Sequence, residues 1–239
     1  MNNKEQIKKL RDNAELAWAA YGYFHLADKE YKHDDNDKER LKEFKDNFKK
    51  YKPNDTQRDL TYTDILDITY KYYLDKNGKP KDSWYHKHFL GGDFSPIQAQ
   101  RFFERYDLLI HQPNTESGFS ATLFQNKETK EYTLAIRGTE FKLEQIKDLI
   151  NDYYIGTNSS DMNRVIEQYF DMLLFYEETL KPLLQEKGIT KINITGHSLG
   201  GYLAQRALIY CDSLYKDKLK FSPSEVYTFN ASLESRSVA

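Results

Sequence analysis

The run Thr190–Cys211, TKINITGHSLGGYLAQRALIYC, constrains the fold more than any other stretch of the chain. Ile192 and Ile194 alternate with polar residues, as in a strand with one buried face, whereas Leu199, Leu203, Ala204 and Ala207 fall on one face of a helix. Between them Gly196-His197-Ser198-Leu199-Gly200 satisfies G-x-S-x-G, the sharp turn that carries a serine off the end of a strand and into the head of a helix. Glycines flank the serine because the turn is tight and the helix must pack close to the strand. The pattern therefore predicts a strand, turn and helix with Ser198 projected from the strand's end into a site above the sheet, Gly196 and Gly200 serving the turn structurally.

The preceding residues supply a sheet for it. From Tyr106 onward, DLLIHQ, GFSATLFQN and EYTLAIRG read as three extended segments, the last two joined by the polar KETK as in an antiparallel hairpin. A long helical segment follows, with Met162, Val165, Ile166, Tyr169, Phe170 and Leu173 at three-four spacing, a kink expected at Pro182 and an end at Gly188. After the helix that begins at Leu199 comes a last apolar run, EVYTFNA. Strand, strand, strand, helix, strand, helix, strand is the order of an α/β sheet whose first part is antiparallel.

The first hundred residues read differently. Leu10, Ala14, Ala17, Trp18, Tyr21 and Phe24 predict an amphipathic helix over roughly residues 4 to 27, with this stripe in the core. The charged stretch 28–56 still shows one helical face, Leu41, Phe44, Phe48 and Tyr51. Ser95, Pro96 and Gln98 make a capping box with proline at the first helical position. The expected division is a helical region or cap, 1–105, packed on an α/β core, 106–239.

Composition removes several functions. A formal charge of -2 gives no sign of the strongly basic face that a nucleic-acid binder uses, so nucleic acid is not an expected partner. No signal-peptide core and no uncharged membrane-length run is present, so a cytoplasmic location, or export without such a signal, is expected, with peripheral lipid contact left open. A single cysteine, Cys211, excludes an intrachain disulfide. His86 and His88 lack a third ligand, so no metal or other cofactor is expected.

A serine nucleophile acting on an acyl group needs two N–H donors where the oxyanion forms. Leu199 supplies one by following the serine, and Thr139, after the third strand in LAIRGTE, is the candidate for the other. Together TLAIRGTE, IKDLINDYYIG, the long helix, INITGHSLGGYLA and VYTFNA resemble the fungal-type class-three lipases of the α/β-hydrolase superfamily, over about residues 107 to 230. That resemblance implies an α/β-hydrolase-like, mostly parallel sheet, Ser198 as acylated nucleophile, and a lipid or other carboxylic ester as substrate. It also makes Phe141 to Tyr154 a lid candidate; a fixed short helix with Leu143, Ile146 and Leu149 inward reads equally well.

The chemistry also needs a base for the serine proton and a carboxylate to orient it, which in this superfamily follow the serine in the order acid, then histidine. The six histidines, His25, His33, His86, His88, His111 and His197, all precede Ser198, and Asp212 and Asp217 lie on the following helix or just beyond it. The final ASLESRSVA departs from the lipase pattern. The reading is accordingly a lipase- or phospholipase-like ester hydrolase in a C-terminally truncated, catalytically incomplete form. A non-catalytic lipid-binding or interaction module on the same framework is the alternative.

Overall fold

In a computed structural model, residues 2–51, 58–71, 94–138, 160–214 and 222–231 are described. Their strands are β1 (Tyr106–Gln112), β2 (Ala121–Asn126), β3 (Tyr132–Ile136), β4 (Lys191–His197) and β5 (Ser222–Phe229), hydrogen-bonded in that spatial order. β2 and β3 pair antiparallel, with Leu123 opposite Leu134. The turn between them is closed by Asn126, whose side chain accepts from the Glu128 and Thr129 N–H groups, and by Lys130 at φ 61°. β3 to β4 and β4 to β5 are parallel, so the expected change of direction falls at β3.

The chain divides into two compact units, residues 1–21 with 107–239, and residues 22–106. The first helix, α1 (Asn3–Ala19), therefore groups with the sheet rather than with the rest of the N-terminal region. Thr195 Oγ1 of β4 donates to the Asn13 carbonyl at 3.1 Å in a buried position, and Lys9 pairs with Glu225 of β5 at 2.7 Å. The helix is shorter than its periodicity predicts, ending at Ala19, and its inner face is turned. Asn13, Leu16, Ala17 and Ala20 are buried, while Leu10, expected in the core, is 50% exposed. The sheet selects the buried face, and the Asn13 backbone carbonyl that accepts from β4 is invisible to an apolar stripe count.

The second face of the sheet carries α6 (Ser160–Phe175), a π turn (Tyr176–Leu180), α7 (Lys181–Glu186) and α8 (Leu199–Leu214). Their core side chains Met172, Phe175, Leu180, Leu184, Leu203 and Ala204 join Leu123, Leu134, Ile136 and Ile194 of the strands in one apolar cluster. Ile166 and Phe170, part of the predicted α6 stripe, are instead 46% and 58% exposed. The expected break at Pro182 is a π turn just upstream of it, since proline offers no N–H to continue the regular ladder. Gly188, at φ 64°, ends α7 as predicted.

The unit 22–106 holds a short 3-10 turn (Phe24–Ala27), α2 (Asp35–Tyr51), α3 (Tyr62–Leu66), α4 (Ile68–Lys71) and α5 (Pro96–Arg105). Ser95 caps α5 with the predicted box, and Thr61 with Asp64 does the same for α3. Phe44 and Phe48 of α2 are buried, and Phe102 is enclosed by Phe94, Phe103 and Tyr106. Asp64 is buried among these, and Arg58 meets both its carboxylate oxygens at 2.6 and 2.8 Å. Burial opposes that carboxylate's charge, but the Arg58 and Thr61 hydrogen bonds outweigh it and hold its pKa below the ordinary aspartate value.

Candidate active site

Ser198 stands between the last residue of β4 and the first of α8, with φ at 56°. A serine in this left-handed region costs roughly 1 to 2 kcal/mol relative to ordinary backbone, so the surroundings must hold it there. They do so with hydrogen bonds on both sides. The Ser198 N–H donates to the Phe229 carbonyl at 2.9 Å, and the Ser198 carbonyl accepts from Gly201 and Tyr202 at 3.0 and 3.2 Å, starting α8. The residue is 6% exposed.

The glycines explain how close the elements come. A Cβ on Gly196 would strike the Gly200 carbonyl and lie 2.7 Å from the Gly201 nitrogen. One on Gly200 would strike the Ile136 oxygen at the end of β3 and lie 2.7 Å from the Arg137 carbonyl carbon. Both contacts are with backbone, which cannot rotate away, so the turn requires glycine at these two predicted positions. Gly138 belongs to the same packing: its Cβ would be 2.5 Å from the His197 oxygen and 3.3 Å from Ser198 Cβ. The chain leaving β3 thus passes beside the serine one residue before Thr139. Thr139 itself, the lid candidate 141–154, and His86 and His88 lie outside the described residues.

Leu199, 9% exposed, is the first residue of α8. The first N–H groups of a helix have no intrahelical acceptor, and the aligned peptide dipoles add a partial positive charge at that end. The Leu199 N–H belongs to that first group of helix donors.

Three of the four histidines in the described residues are hydrogen-bonded to other side chains. His197 Nδ1 and Tyr21 Oη are hydrogen-bonded at 2.9 Å, and the ring packs edge-on against Trp18 at 5.9 Å. Burial pushes the His197 pKa below the ordinary histidine value, favouring the neutral ring. His111 on β1 is bonded through Nδ1 to Thr122 Oγ1 at 2.8 Å, and His25 through Nε2 to Asp37 at 3.0 Å. Among the described residues no side chain is hydrogen-bonded to Ser198 Oγ. Nor do any three His, Cys, Asp or Glu side chains among them form a metal-ligand group. No helix among them is long and apolar enough to cross a membrane.

Sequence reasoning missed Tyr21 and Trp18 as neighbours of the elbow. Both were visible only as members of an apolar stripe, and Tyr21 is separated from His197 by 176 positions. No local pattern signals such a contact.

Residues 133–232 match the family model Lipase (class 3). That span runs from β3 through the elbow to the end of β5, so the likeness to class-three lipases covers the part of the sheet that carries Ser198. Similar solved structures are a lipase from Rhizopus microsporus var. chinensis, at 15% identity and TM-score 0.49, covering 96% of this chain and 59% of that one. Lipase II from Rhizopus niveus follows at 16% identity and TM-score 0.48, covering 96% and 64%. The Lip2 lipase from Yarrowia lipolytica has 16% identity and TM-score 0.46, covering 95% and 60%. This chain thus spans about 60% of the length of these lipases. No curated protein matches it.

Proposed function

We propose that this chain carries the nucleophile half of a lipase-type carboxylic ester hydrolase, with Ser198 as the residue acylated by a lipid or other ester. The observation that carries the reading is the elbow: a buried serine at φ 56° between β4 and α8, held against the end of β3 by glycines. The class-three lipase match over the same residues supports it. In this reading the Ser198 hydroxyl attacks the ester carbonyl, and Leu199 N–H, with Thr139 as second donor, stabilises the oxyanion.

The proton on Ser198 Oγ must go to a base before or during attack. No histidine follows Ser198 in the 239 residues; of the described ones that precede it, His197, His111 and His25 are bonded to Tyr21, Thr122 and Asp37, and His33 faces Asp37 at 3.8 Å. In this reading no base for Ser198 is identified within these residues, and the polypeptide by itself is proposed to be catalytically incomplete. The expected rate with p-nitrophenyl butyrate is close to that of Ser198→Ala. A wild-type rate well above that of Ser198→Ala by two orders of magnitude, roughly the share a positioned base contributes, overturns the incompleteness.

The same missing base favours a second reading, a non-catalytic lipid-binding module on the hydrolase framework. Saturable binding of a labelled phospholipid that survives Ser198→Ala, with no chemical reactivity at the serine, selects that reading.

A further inference from the structure

A cavity of about 370 Å³ lies within the unit 22–106, walled by the end of the 3-10 turn and the segment after it, by one face of α2 and by residues 58–60. Its size falls in the range of roughly 300 to 1,000 Å³ that small-molecule sites occupy. The lining is of two kinds. Leu26, Ala27, Leu41, Phe48 and Leu60 form an apolar floor, with Leu26 and Phe48 buried. Around them stand Lys29, Lys45, Lys49 and Arg58, four cations against the two carboxylates Asp28 and Asp59.

Two of those cations are already answered. Lys29 pairs with Asp59 at 2.5 Å, and Arg58 is held bidentately by Asp64 while its guanidinium lies 4.3 Å from the Phe48 ring centre. Lys45 and Lys49 are one helical turn apart on α2, so both reach the same side of the cavity. Neither forms an ion pair within 4 Å among the described residues, although the Asp59 carboxylate held by Lys29 also attracts Lys45. His33 adds a buried Nδ1 to the wall that makes no hydrogen bond among them, Asp37 Oδ2 lying 3.8 Å away. Both side chains are exposed at the cavity's mouth, and an anion seated between two like charges at this spacing relieves their mutual repulsion.

We propose that this cavity binds a small amphipathic anion, a single carboxylate or phosphate head on a short apolar tail. Lys45 and Lys49 hold the head and Leu26, Leu41, Phe48 and Leu60 the tail. The ammonium pair gives charge-assisted hydrogen bonds, and the floor removes the tail from water. This site is separate from the chemistry proposed at Ser198 and does not depend on it.

Calorimetric titration of the full chain with octanoate, octyl phosphate, octan-1-ol and inorganic phosphate tests it. At least one amphipathic anion is expected to bind saturably, about tenfold or more tighter than the alcohol, and inorganic phosphate alone more weakly than either. A preference for octanoate identifies a carboxylate ligand, and one for octyl phosphate a phosphate monoester. The double variant Lys45→Gln, Lys49→Gln changes only exposed side chains. It is expected to weaken the anion about tenfold with the circular dichroism spectrum unchanged. Absence of saturable binding by both anions, equal binding of the alcohol, or anion binding that the double variant leaves intact overturns the proposal.

Discussion

Gly200→Ala places two opposing effects in one residue. Gly200 is the second residue of α8 and its φ is not positive, so helix propensity alone predicts that alanine stabilises, by about 1 kcal/mol. Packing predicts the reverse. The new Cβ would strike the Ile136 oxygen and lie 2.7 and 2.8 Å from the Arg137 carbonyl carbon and oxygen. Each is backbone of the chain leaving β3, so relief requires α8 and β3 to separate. Ile136 and Leu203 are fully buried in the core between them. Overpacking a well-filled site costs roughly 1 to 3 kcal/mol, and rigid backbone neighbours put this case at about 3. The net expectation is a loss of about 2 kcal/mol. With a urea slope of roughly 1 to 3 kcal/mol/M, the unfolding midpoint of the sheet unit should fall by about 1 M. Gly188→Ala is the control: nothing lies within 4 Å of its Cβ, so only the strain of φ 64°, about 1 kcal/mol, is added. A Gly200→Ala protein as stable as wild type, or more stable, would show that helix propensity wins and that the elbow is not packed against β3 as described.

Two further expectations concern the elbow. Ser198→Gly removes the left-handed strain at φ 56° and should raise the urea midpoint by the equivalent of about 1 kcal/mol; an unchanged or lower midpoint contradicts a strained serine. His197 has a pKa depressed by burial, so on acidification the unfolded chain takes up its proton first. Its contribution to stability is complete above the ordinary histidine pKa of 6.5 and is lost as pH falls from there through the folded value. NMR titration of the imidazole signal, assigned by its disappearance in His197→Gln, should give a midpoint below 6.5, and a midpoint above it contradicts the burial.

Much of the sheet unit was readable because its signals are local. Alternation in Ile192 and Ile194, the glycines at 196 and 200, and the helical face Leu199, Leu203 and Ala204 each depend on neighbours a few residues away. The capping box at Ser95 and the end at Gly188 were legible for the same reason. Orientation was not. The inner face of α1 is set by β4, which buries Asn13 and leaves Leu10 in solvent, and α6 turns Ile166 and Phe170 outward although their spacing is that of a core stripe. Periodicity shows that a helix has a face, but not which tertiary surface receives it. The neighbourhood of the candidate nucleophile was half legible: Gly196, Ser198, Leu199 and Gly200 came from one motif, while the approach of Gly138 and the Tyr21 bond to His197 arise only from the fold. The roles assigned to Ser198, Leu199 and Thr139 rest on chemistry and on the class-three lipase match.

The central claim is that Ser198 is a nucleophile waiting for a base. Intact-mass measurement after exposure to a small dialkyl fluorophosphate, with and without added imidazole as the external base, tests it directly. The account predicts a single covalent adduct at Ser198, formed slowly alone and faster with imidazole, and absent from Ser198→Ala. No adduct on the wild-type chain under either condition, or the same adduct on Ser198→Ala, would contradict it.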